Sequence, residues 1–113
     1  MIDHGPKMMT DEQKKTWYSA RLVFRCDIGN QPVPSDIYEE SIRLIRASNE
    51  AEASERAAAI GRINERDEQS SVGEMVRWRF VGVVEVQDLL LPEIADGSEV
   101  FSRLSRTEPD PEA

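Results

Sequence analysis

A chain of 113 residues with a formal net charge of −8, from 22 acidic against 14 basic side chains, is long enough for one domain only. Its acidic balance disfavours broad binding to nucleic acid or anionic membranes, both of which need local positive potential. The single cysteine, Cys26, excludes an intrachain disulfide and a multi-cysteine metal centre, and no apolar run approaches membrane-spanning length.

Composition divides the chain in three. Residues 1–16 (MIDHGPKMMTDEQKKT) lack a periodic apolar pattern and predict a flexible N-terminal tail. Residues 105–113 (SRTEPDPEA) predict an acidic C-terminal tail. The body between them, 17–104, is expected to be a single α+β domain with a thin stability margin, so that an oligomer or a partner contributes to it. Every basic residue of the body is arginine, the side chain suited to planar, bidentate pairing and to stacking on aromatics. With no apolar signal-type segment at the start, a bacterial, cytoplasmic setting is expected.

Within the body, residues 17–28 (WYSARLVFRCDI) alternate with period two. Tyr18, Ala20, Leu22, Phe24, Cys26 and Ile28 take one side; Trp17, Ser19, Arg21, Val23, Arg25 and Asp27 take the other. That is a half-buried strand. GNQPVPSD (29–36) reads as a loop. Residues 37–47 (IYEESIRLIRA) predict a second strand with a less clean pattern, in which Ile42 and Leu44 share a face with Tyr38, opposite Arg43 and Ile45. Residues 48–69 switch to a helix capped by Asn49, with Glu52 at the capping-box position. Its inner stripe (Ala53, Ala57, Ile60 and Asn64, flanked by Gly61 and Ile63) is mostly small, which lets a helix lie close on a sheet. Residues 75–88 predict the third strand, with Val76, Trp78, Phe80, Gly82, Val84 and Val86 on the core face. Gly82 marks a bulge or a close approach. Near-continuous apolarity from Val81 onward predicts a strand covered on both faces. LLLPEIADG (89–97) is a connection, and SEVFSRL (98–104) is expected as a short last strand. The order β-β-α-β-β makes a four-stranded, mainly antiparallel sheet with one helix on one face.

Four separated blocks, WYSARL (17–22), YEESIRLIRA (38–47), VRWRFVGV (76–83) and DGSEVFSRL (96–104), resemble a family of small bacterial proteins catalogued as a domain of unknown function, number 4288 in that series. The likeness spans nearly the whole body. It implies a small standalone bacterial domain and carries over no activity.

The chemistry of catalysis is thinly represented. The one histidine, His4, lies in the tail, so neither a Cys–His nor a Ser–His–Asp arrangement is available in the body. Cys26 falls on the apolar side of its strand, where an inert thiol is the usual outcome. Glu39 and Glu40 are adjacent on a strand and point to opposite faces, so solvated carboxylates are expected rather than a metal site, and no cofactor is implied. Neither VGV (81–83) nor Gly61 sits where a phosphate-cradling turn needs glycine.

What remains is an arginine face. Arg21, Arg25, Arg43, Arg77 and Arg79 are expected on the side away from the core, with Trp17, Val81 and Val83 among them. The plainest reading is a mixed surface in which Asp27, Glu39, Glu85 and Glu99 form cross-strand ion pairs with these arginines. Aliphatics between arginines fit a protein interface better than a solvated surface. The favoured function is therefore a non-enzymatic, self-associating protein-interaction module, probed in its sharper form as an immunity- or antitoxin-like neutraliser of a basic partner. The alternatives are an anionic-ligand or nucleic-acid binder using the arginines, for which nucleic acid is disfavoured by charge, and a carboxylate-dependent hydrolase.

Overall fold

The computed structural model describes residues 10–30 and 36–108, the side chain of Asp11 excepted. It is α+β. The elements are α1 (Asp11–Lys14), β1 (Thr16–Ile28), β2 (Ile37–Ala47), α2 (Glu50–Ile63), β3 (Arg66–Gln69) and β4 (Met75–Leu91). The strands form one antiparallel sheet in the order β2-β1-β4-β3. Alternation in β1 works as the pattern requires: Tyr18, Ala20, Leu22, Phe24 and Cys26 are all buried. With Ile45 and Ala47 of β2 and Ala53 and Ala57 of α2 they make the core, against which Ile60, Trp78, Phe80, Val83 and Val86 pack.

The helix begins where its cap dictates. Asn49 accepts the Glu52 backbone N–H at 2.8 Å, and Glu50 and Glu52 complement the positive end. It is shorter than the expected 48–69. Asn64 stops it, donating its side-chain amide to the Ile60 carbonyl at 2.7 Å while its backbone N–H also turns back onto the last turn. The chain then forms β3, pairing Arg66 with Trp78 and Gln69 with Met75. β3 is wholly charged or polar (RDEQ) and wholly exposed, so it shows no apolar alternation and reads as the end of the helix. Its partnership with β4 is made by the backbone, by the turn that Gly73 closes at φ 85°, and by the Arg66 guanidinium 5.0 Å from the Trp78 ring.

Thus the fourth strand is β3, and the strand expected at 98–104 is absent. That segment crosses the sheet face instead of joining an edge. The Gln87 side chain donates to the Ser102 carbonyl at 2.8 Å and accepts from its N–H at 3.3 Å, while Phe101 lies over Arg21. A side-chain amide has taken the place of a neighbouring strand. Ahead of β1, residues 11–14 of the expected tail form one helical turn, capped by Thr10 and tied to β2 through the Glu12–Arg46 ion pair.

β4 changes facing twice. Its pairing with β1 skips one residue between Phe80 and Gly82 and another between Val83 and Glu85. Each skip is a bulge that shifts side-chain parity by one. Trp78 and Phe80 face the helix, Val83 takes the next core place opposite Leu22, and Val86 resumes the original phase opposite Ala20. Val83 therefore belongs to the core, not to the arginine face, and neither Gly82 nor Val84 is a core residue. Val81 and Val84, the extra residues, are exposed by 55% and 53%, so the apolar run records two bulges and not a strand covered on both faces.

Candidate functional site

The face of the sheet turned away from α2 carries the candidate residues. β1 contributes Trp17, Arg21 and Arg25; β4 contributes Arg79 opposite Arg25 and Arg77 opposite Asp27. Arg43 does not join them. It pairs with Ala20, on the helix side, and donates to Ser41 at 2.9 Å. The two-residue connection from Ala47 to α2 forces this phase: Ala47 and Ile45 must lie under the helix, which turns Arg43 inward and Ile42 and Leu44 outward. That connection length was the available signal. Val81 sits at its bulge without a β1 partner.

The outer arginines are largely matched by carboxylates. Arg21 donates to Glu40 at 3.1 Å and to Glu85 at 3.2 Å, bridging β2 and β4 across β1. Its Nε is buried with no hydrogen-bond partner among the described residues. Arg25 holds Asp27 through two nitrogens at 3.0 and 3.1 Å, a pairing that raises the already high pKa of the guanidinium. Arg79 reaches Asp67 of β3 at 2.8 Å and the Trp78 carbonyl at 3.2 Å. Arg77 is exposed and stands in register between Asp27 and Asp67. These half-exposed pairs neutralise the face and fix side-chain directions, contributing little each to stability.

Sequence reasoning missed the apolar part of this surface. Tyr38, Ile42 and Leu44 lie in one row on the outer side of β2, exposed by 55%, 47% and 41%. At the other end of the face Trp17, Arg46, Pro92, Glu93 and Ile94 surround a shallow open depression. Ser19, between Leu44 and Gln87, is on the same face but buried, and its hydroxyl has no partner among the described residues.

Glu39 and Glu40 point to opposite faces, as expected: Glu39 opposite Phe24 on the helix side, Glu40 outward onto Arg21. His4 lies outside the described residues. Among the described residues no group of three or more His, Cys, Asp or Glu converges, and no helix is long and apolar enough to cross a membrane.

Cys26 is buried, and burial first, then the charge of Asp27, pushes its thiol above the ordinary 9.0. Burial, then Asp88, likewise pushes Tyr18 above its ordinary 10.0. Both groups ionise earlier in the unfolded chain than in the folded one. Their contribution to stability is intact below those ordinary values and is lost as pH rises through the raised ones. Melting temperature is expected to fall as pH rises above the ordinary thiol value of 9.0, with Cys26→Ala shallowing the first part of the decline. A flat profile would place both groups in water.

No curated protein and no solved structure matches the chain. A family model described as Domain of unknown function (DUF4288) matches residues 17–102, from the second residue of β1 to the Ser102 contact on Gln87, and the chain belongs to that family.

Proposed function

We propose that this chain is a non-enzymatic protein-interaction module that self-associates through β2 and the outer sheet face. The observation that carries the reading is the exposed row Tyr38, Ile42 and Leu44, set beside arginines whose charges are already answered by Glu40, Glu85, Asp27 and Asp67. An apolar row with ordered, planar cations at its margin has the make-up of an interface core and rim. The same carboxylates count against a phosphate site, because an incoming anion would have to displace them. A net charge of −8 supports a basic macromolecule as a further partner, the immunity-like form of the proposal, and a cytoplasmic setting suits the reduced cysteine.

Sedimentation velocity of the full chain tests this. Self-association is expected to persist from about 50 mM to about 500 mM salt, since apolar contact is weakly screened. It is expected to be lost in the Ile42→Asp, Leu44→Asp double variant with little change in melting temperature, because both side chains are already exposed. A monomer at every concentration, or binding to nucleic acid that collapses with salt, would overturn the reading.

A further inference from the structure

Among the described residues the sheet has three stretches of open edge, and two of them are blocked. β3 is only four residues long and carries four polar side chains. Beyond β3, the edge of β4 is broken by the bulges at Val81 and Val84 and by Leu90 at φ 58°, and the Glu65 carboxylate accepts the Phe80 N–H at 3.2 Å. Bulges and side-chain caps are two of the devices that stop strands from adding to a sheet, and charged edge residues are another. β2 has neither bulge nor cap, and it carries charges of both signs. Among the described strands it pairs with β1, in unbroken register over eleven residues, and it contains no proline, lysine or bulge.

We propose that β2 pairs with β2 of a second copy, antiparallel and centred on Ser41, merging two four-stranded sheets into one of eight strands. The inference rests on the self-association reading above and names its surface and register. Its warrant is that the strand is complementary to itself in one register. With Ser41 opposite Ser41, Glu39 meets Arg43, Asp36 meets Arg46, Ile37 meets Ile45 and Tyr38 meets Leu44, each twice by symmetry. Only Glu40 opposite Ile42 is unmatched. Neighbouring registers fail: centring on Glu40 or on Arg43 sets like charges face to face, and centring on Ile42 sets Glu39 against Ile45 and Glu40 against Leu44.

The faces agree with this pairing. A two-fold axis normal to the sheet keeps both α2 helices on one side and brings the two outer rows together, so Tyr38 and Leu44 cover each other across the joint. On the helix side, Ile37, 49% exposed in the single chain, comes beside Ile45 of the second copy.

Charge reversal reads the register. Glu39→Arg and Arg43→Glu each create two repulsive contacts and are expected to weaken the dimer about tenfold to a hundredfold. The double variant restores association, and so does an equimolar mixture of the two single variants, where every contact is again opposite in sign. Mild oxidation of Ser41→Cys is expected to give a covalent dimer, whereas Arg46→Cys, far from its symmetry mate, and wild type, whose Cys26 is buried, do not. The Ser41→Cys arm leaves all charges in place and decides the matter if a reversal variant melts early. Association indifferent to both reversals, with no cross-link at position 41, overturns the register while the interaction reading stands. A wild-type chain that stays monomeric overturns both.

Discussion

Replacing Phe24 with alanine is expected to lower stability by about 3–5 kcal/mol, the cost of deleting a large aromatic from a packed core. Phe24 is 1% exposed at the middle of β1, the strand that holds β2 on one side and β4 on the other. Its ring meets Phe80 at 5.7 Å between centroids, tilted by 56°, a favoured aromatic arrangement. Few neighbours can refill the space. Ala20, Ala47, Ala53 and Ala57 supply much of the surrounding core and have no rotamers with which to move in. A domain of this size has stability toward the lower part of the ~5–15 kcal/mol range, so the loss removes a large fraction of it. Urea denaturation should show the midpoint falling with the slope preserved. Phe24→Leu, which keeps most of the volume, should retain more than half of the lost stability. A loss below about 1 kcal/mol for the alanine variant would mean that the buried face of β1 is the other one.

The bounds of β1 and β2, and the facing of β1, are legible because their signals are local. Period-two alternation in WYSARLVFRCDI needs no partner to be recognised, and the faces it assigns are the observed ones. Asn49 and Glu52 fix the start of α2 by a contact three residues long. What was not legible depends on pairing. β3 has no apolar residue to mark it and exists because the Met75–Trp78 backbone is there to receive it. The segment 98–104 alternates like a strand, yet Gln87 captures it on the face of the sheet. The bulges in β4 are invisible in a run of valines: moving the facing by one residue exchanges Val83 for Val84 with no change in hydrophobicity.

The candidate surface divides along the same line. Trp17, Arg21, Arg25, Arg77 and Arg79 stand on the outer face, each in a strand segment with clean alternation. The pattern of β2 points Arg43 outward because Ile42 and Leu44 look like core. The structure leaves those two on the outer face, where they supply the apolar row on which the interaction proposal depends. The misassigned residues of β2 are thus the informative ones. An edge strand that turns isoleucine and leucine to solvent while burying two alanine-sized or aliphatic neighbours under a helix is committed on both sides, to its own core and to a second surface.

Gly61→Ala is expected to destabilise the fold, although the same exchange in an exposed helix interior would gain about 1 kcal/mol. Gly61 is buried in α2, one turn beyond Ala57. A Cβ placed there overlaps the Phe80 ring at three of its carbons. The ring cannot swing aside freely, because Phe24 stands against it on the sheet. Relief requires α2 to lift or Phe80 to leave its place, and such overpacking costs about 1–3 kcal/mol beyond the propensity gain. A net loss of about 1–3 kcal/mol follows, read from thermal or urea melts. Phe80→Leu opens space at the contact, so the Gly61→Ala, Phe80→Leu pair should be more stable than the sum of its single losses by about 1 kcal/mol. That coupling separates a steric contact from a general preference for glycine. Should Gly61→Ala raise the melting temperature, α2 would have to ride higher on the sheet, and the stripe of Ala53, Ala57 and Gly61 would owe its small size to something other than close approach.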